Sequence, residues 1–152
     1  MTLNSVYTKI RTPLNYGLKT GDLLFCRSSL KLDGIAFNNV YMGADDAALF
    51  ECHLIRISPN LTKVNSIFIT HLLRLPQLRA MIKSRAKTST MTTIDQQGLC
   101  AVTISLPPLL EQDIFASRIK AVEVLKITQR SALLQLDTLF ASLQHRAFRG
   151  EL

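Results

Sequence analysis

Nowhere does this 152-residue chain hold the roughly 18 consecutive apolar residues of a membrane span. Its polar start, Met1-Thr2-Leu3-Asn4, lacks the apolar core of a secretory signal. Cysteine is scarce as well. Cys26, Cys52 and Cys100 are odd in number and widely spaced, which argues against a disulfide framework and suits reduced thiols in a cytoplasmic protein. There is no Walker loop and no metal-ligand spacing. The sequence "SLPPL" (105–109) has the prolines of an amino-methyltransferase motif but neither the polar residue before them nor the aromatic after. Cys52 and His53 are adjacent, and on a strand they would point to opposite faces. We therefore expect no catalytic, cofactor-binding or metal-binding residues in this chain.

Acidic side chains are few, 11 against 18 basic ones, for a net charge of +7. The imbalance is uneven. Residues 1–110 carry 12 Lys and Arg against 6 Asp and Glu, whereas residues 111–152 carry 6 against 5. An excess of this kind suits a polyanion such as nucleic acid. It is densest from Arg74 to Thr90, where Arg74, Arg79, Lys83, Arg85 and Lys87 meet no acid.

Gly21-Asp22 reads as a turn feeding a short strand, Leu23 to Cys26. Residues 33–43, with Ile35, Phe37, Val40 and Tyr41, read as a second strand, and residues 48–60 as a third ended by Pro59-Asn60. Their alternation is blurred, which predicts strands covered on both faces. From Val64 the period becomes helical, through Ile67, Phe68, His71, Leu72 and Leu75. Pro76 interrupts and can open a second short helix carrying Leu78, Met81 and Ile82. Residues 87–95 read as a polar loop and residues 100–106 as a last strand.

Pro107 and Pro108 then stand at the head of a long helix. Proline is tolerated in a first helical turn and pushes its predecessor into extended backbone, so the pair makes a stiff joint. Beyond it, Phe115, Ile119, Val122, Lys126, Gln129, Leu133, Leu136, Phe140, Leu143 and Ala147 alternate spacings of four and three. Leu125, Ala132 and Leu139 widen the stripe. About 38 residues in one helix span roughly 57 Å, longer than a small domain covers. This predicts a coiled-coil strand, with Lys126 and Gln129 as polar residues fixing register, in preference to an amphipathic helix packed on its own domain. Glu111 and Gln112, at the helix start, read as structural caps meeting unpaired N–H groups.

Taken in order, "GDLLFCRS", "HLIRISPN", "IFITHLLRLPQLRAMIKSRAKTSTMTTID", "ISLPPLLEQDIFASRI" and "LQLDTLFASLQHRAFRGEL" resemble the DNA-recognition (specificity) subunit of type I restriction–modification systems. The resemblance runs from about Lys19 onward. It implies an α+β fold: a mixed α/β target-recognition domain over 1–106, then a proline-started coiled-coil helix over 107–152. It implies a non-catalytic subunit that directs a partner to a bipartite site on double-stranded DNA. The partners are a methyltransferase subunit, which holds the S-adenosylmethionine, and optionally a restriction subunit. A full specificity subunit has two such domains and two such helices, whereas this chain has one of each. It is thus expected either as a natural half-subunit with a shortened head, working as a homodimer, or as the tail of an interrupted gene. The prolines would fix the head on its spacer rod.

The candidate DNA contacts are Arg27, Ser28, Ser29 and Lys31, and Arg79, Lys83, Arg85, Lys87, Thr88, Ser89 and Thr90, since cations neutralise phosphates and hydroxyls bond phosphate oxygens or base edges. The helix contacts are Phe115, Ile119, Val122, Lys126, Gln129, Leu133, Leu136, Phe140 and Leu143. A coiled-coil assembly module whose shortened head no longer reads DNA is the alternative.

Overall fold

Two residues of β2 (Leu23–Cys26) and two of β5 (Leu54–Pro59) face each other across the centre of an antiparallel sheet, Leu23 opposite Ile57 and Phe25 opposite Ile55. All four are buried. In this computed structural model the described residues are 7–9, as backbone, and 17–151. The start Met1 to Asn4 lies outside them. The sheet runs in the order β1 (Tyr7–Lys9), β5, β2, β4 (Asn38–Val40). A smaller sheet runs in the order β3 (Ser28–Ser29), β7 (Thr92–Thr93), β6 (Lys87–Thr88).

Burial alternates cleanly along β2 and β5, so the larger sheet buries one face rather than the two expected. All its pairings are antiparallel, and an antiparallel sheet can leave one face to water. On the covered face lie Ile69 and Leu73 of α1 (Ser66–Leu73), Ile82 of α2 (Pro76–Lys83) and Leu99 of α3 (Gln96–Cys100). Ala36, Val64, Ile94, Val102 and Ile104 complete that core. Each of the larger side chains contributes about 1.5–3 kcal/mol by leaving water.

Local chemistry sets the helix starts. The Asn65 side chain accepts from the N–H groups of Ile67 and Phe68 and caps α1. Pro76 stands at the first position of α2, as its fixed φ and missing N–H allow. Asp95 caps α3 through Gly98 N–H at 2.7 Å. The turn into β2 needs Gly21, whose φ of 91° would strain any other residue. The neighbouring Asp22 is buried and accepts from Lys19 N–H and the Ser58 hydroxyl.

Several expectations change. The strand expected over 33–43 shrinks to Asn38–Val40, because Leu32–Gly34 coils into a 3-10 turn and Ala36 takes a φ of 63°. The third strand begins only at Leu54, and residues 51–53 lie at a turn. The buried positions of α1 are Ser66, Ile69, Thr70 and Leu73, one step round from those read in the sequence. The polar loop 87–95 contains the paired strands β6 and β7. In place of the last strand, α3 ends at Cys100 and the chain runs extended, with Val102 and Ile104 buried between exposed neighbours.

The long helix is present as α4 (Leu109–Phe148), 40 residues and about 60 Å long. The chain divides into compact units Met1–Asp113 and Ile114–Leu152, so the first turn of α4 belongs to the first unit. Gln112 explains this. It is buried, its Oε1 accepts from Asn65 N–H at 3.0 Å, and its Nε2 donates to the carbonyls of Lys63 and Pro107. Its role is structural, but it satisfies peptide groups ahead of α1 and the Pro107 carbonyl instead of capping free N–H groups of its own helix. In the second unit every side chain from Lys120 to Glu151 is exposed.

Candidate nucleic-acid interface

The smaller sheet joins the two candidate segments that the sequence holds some sixty residues apart. Ser28 pairs with Thr93 and Ser29 with Thr92, while Lys87 and Thr88 pair with the same two threonines from the other side. β7 is therefore a bridge between Arg27-Ser28-Ser29 and the run Lys87 to Thr90. The Thr88 and Thr92 hydroxyls are 3.1 Å apart and share a hydrogen bond. The peptide of Arg27 is clamped, its N–H donating to His53 O and its carbonyl accepting from Ile94 N–H. Its side chain remains exposed.

The cations fall into two groups. Arg27, Lys31 and Arg85 are exposed and have no side-chain hydrogen bond or ion pair among the described residues. Thr88, Ser89 and Thr90 are exposed as well. By contrast, Arg79 stacks over the Phe37 ring at 3.8 Å and donates to the Asp33 carbonyl. Lys83 pairs with the Asp33 carboxylate, with its side chain only 20% exposed. Together they hold the 3-10 turn at residues 32–34. Arg74 is tied to the carbonyl of Asn38 and the side chain of Asn39. Lys87 stands between the groups: its 3.5 Å pair with Asp95 is largely exposed, and such pairs are weak enough to exchange for another anion.

The carboxylates record these contacts. The hydrogen bond and charge of Lys83 hold Asp33 below the usual carboxylate range. Asp95 is held low first by the N–H of Gly98, then by Lys87 and the charge of Arg27. Arg27, Lys31 and Arg85 can each neutralise an anionic group, and Thr88 to Thr90 offer exposed hydroxyls. Sequence reading missed Thr92 and Thr93 as the bridge. The β-favouring threonines of "TSTMTT" (88–93) are the signal that could have found them.

It also placed Cys52 and His53 on opposite faces of a strand. Residues 51–53 lie instead at a turn, and Glu51, Cys52 and His53 bring ligand-type atoms within 4.8 Å of one another. The Ser28 hydroxyl bonds His53 Nδ1, tying that turn to the smaller sheet.

Among the described residues no helix is long and apolar enough to cross a membrane. No family model matches the chain. The chain spans about a third of the length of the curated relative it matches, with which it shares 28% identity over 142 residues. That match covers 90% of this chain and 31% of the other protein. Like the motif order, it supports one family: the chain is similar to the type I restriction enzyme StySPI specificity subunit of Salmonella potsdam.

Proposed function

We propose that this chain is a non-catalytic DNA-recognition subunit of a type I restriction–modification system. The observation that carries the reading is the smaller sheet, which pairs Ser28-Ser29 and Lys87-Thr88 with one strand and so links the two chain segments that bear unpaired Arg27, Lys31 and Arg85 and exposed Thr88 to Thr90. The likeness to a specificity subunit supports it. In this reading Arg27, Lys31, Arg85 and Lys87 contact phosphate or guanine edges, and Ser28, Ser29 and Thr88 to Thr90 supply shorter-range donors. Arg79 and Lys83 hold the turn at residues 32–34.

The helix α4 is the assembly element. Val122, Leu133, Leu136, Phe140 and Leu143 are all exposed, an apolar line that water does not tolerate over such a length. Ile127, Leu134 and Phe148 are exposed too. With Ala141 they recur every seventh residue, about 120° round the helix from the first line at 100° per residue. A single partner helix would cover one line only. A second copy, running antiparallel, takes the first; a methyltransferase subunit, which would bring the S-adenosylmethionine, takes the second. Two identical heads on a two-fold axis would then read a bipartite palindrome with an unread spacer.

The test is selection of bound duplexes from a random pool, with the methyltransferase subunit present. Enrichment of a bipartite palindrome is expected. An asymmetric site would point to a second specificity chain. No enrichment would favour the other reading, an assembly module without DNA contacts, for which the exposed apolar lines of α4 speak on their own.

A further inference from the structure

The geometry points to a binding site for a zinc-class divalent cation at the turn Glu51-Cys52-His53. Three chemistries converge there, a carboxylate, a thiol and an imidazole, with one ligand atom of each within 4.8 Å of the other two. Metal bonds of about 2.0–2.3 Å in a tetrahedral site set ligand separations of about 3.3–3.8 Å. All three side chains are exposed, so modest rotamer changes can close that difference without disturbing the core. None of the three forms a salt bridge among the described residues.

The backbone beneath is fixed. Leu54 N–H donates to the Glu51 carbonyl at 3.1 Å, and Arg27 N–H donates to the His53 carbonyl at 2.8 Å. The next residue, Leu54, pairs with Cys26 in the larger sheet. The imidazole is oriented as well, because the Ser28 hydroxyl bonds Nδ1. That leaves Nε2 for a cation, with Ser28 in the outer position that orients metal-binding histidines. Sulfur and imidazole ligands select zinc over calcium or magnesium, which demand oxygen. Three protein ligands leave a fourth position for water. Coordination would deprotonate the Cys52 thiol, releasing its proton to solvent.

Titration of the reduced chain with zinc chloride, followed by calorimetry, tests this. One equivalent per chain is expected, with proton release. Cobalt(II) chloride should give a thiolate-to-metal absorption band in the near ultraviolet. Cys52→Ser should abolish that band, whereas Cys26→Ser and Cys100→Ser should leave it. Ser28→Ala should weaken zinc binding about 10- to 100-fold. Circular dichroism of the Cys52→Ser chain should match the parent, because Cys52 is exposed. Absence of stoichiometric zinc binding would overturn the site. So would a cobalt band that survives Cys52→Ser, or a His53→Ala chain with unchanged affinity.

Discussion

The peptide N–H of Asn65 donates to Oε1 of Gln112 at 3.0 Å, across 47 positions of chain. Asn65 does three jobs at once. Its Oδ1 caps α1, its peptide is satisfied by Gln112, and its Nδ2 donates to Asp113 at 2.8 Å. The first turn of α4 is thereby bonded to the residue that starts α1.

Removing Gln112 tests that relationship. Gln112→Ala leaves the Asn65 N–H and the Lys63 and Pro107 carbonyls short of a partner in a part-buried site that the Gln112 side chain itself fills. Each unsatisfied group costs about 1–3 kcal/mol, so urea denaturation should show a loss of at least that size. Glu111 is exposed, and Glu111→Ala should change stability by less than about 0.5 kcal/mol. Equal effects from the two substitutions would contradict the buried role of Gln112.

The cations should divide by function. Arg27→Ala and Arg85→Ala should weaken duplex DNA binding, and removing a cation that neutralises one phosphate should reduce the salt slope by about 1. Lys83→Ala should mainly lower stability, since Lys83 holds Asp33. Fluorescence anisotropy across a salt series, beside thermal melting, separates the two behaviours.

Dimerisation through α4 is the third expectation. Leu136→Asp with Phe140→Asp should give monomers in sedimentation, because both residues lie on the first apolar line. Spin labels at position 117 of two copies should sit on the order of 30–40 Å apart if the helices run antiparallel, from the rise per residue. Label distances near contact would mean parallel pairing.

Acid should weaken the first unit. Asp33 and Asp95 both have folded pKa values below the ordinary carboxylate range, Asp33 through Lys83 and Asp95 through Gly98 N–H. A depressed folded pKa gives stability that is present above the unfolded value, near 3.9, and lost as pH falls through the folded value. Melting temperature should therefore be insensitive to these groups between about pH 5 and 7 and fall below about pH 4. In Asp33→Asn the acid-induced fall should be shallower. An unchanged profile in that variant would show that the exposed pair with Lys83 adds nothing.

Short-range signals determined much of this protein. The strand Leu23–Cys26, the end of β5 at Pro59, the helix opened by Pro76 and the long helix after Pro107-Pro108 could each be read locally. In each case the residues that set the element lie within a few positions of it, as propensity, proline geometry and period require. Tertiary structure decided the rest. Two-residue strands such as β6 and β7 carry no readable period, and only pairing with Ser28–Ser29 makes them a sheet. Whether residues 51–53 alternate or converge depended on where the pairing of β5 with β2 stops. Which cations stay free was equally hidden, because the partner of Lys83 is Asp33, 50 positions earlier. Gln112 reads as a helix cap until the chain brings Asn65 to it. Pairings at such separations follow from how the core packs, and sequence pattern within any one segment does not encode them.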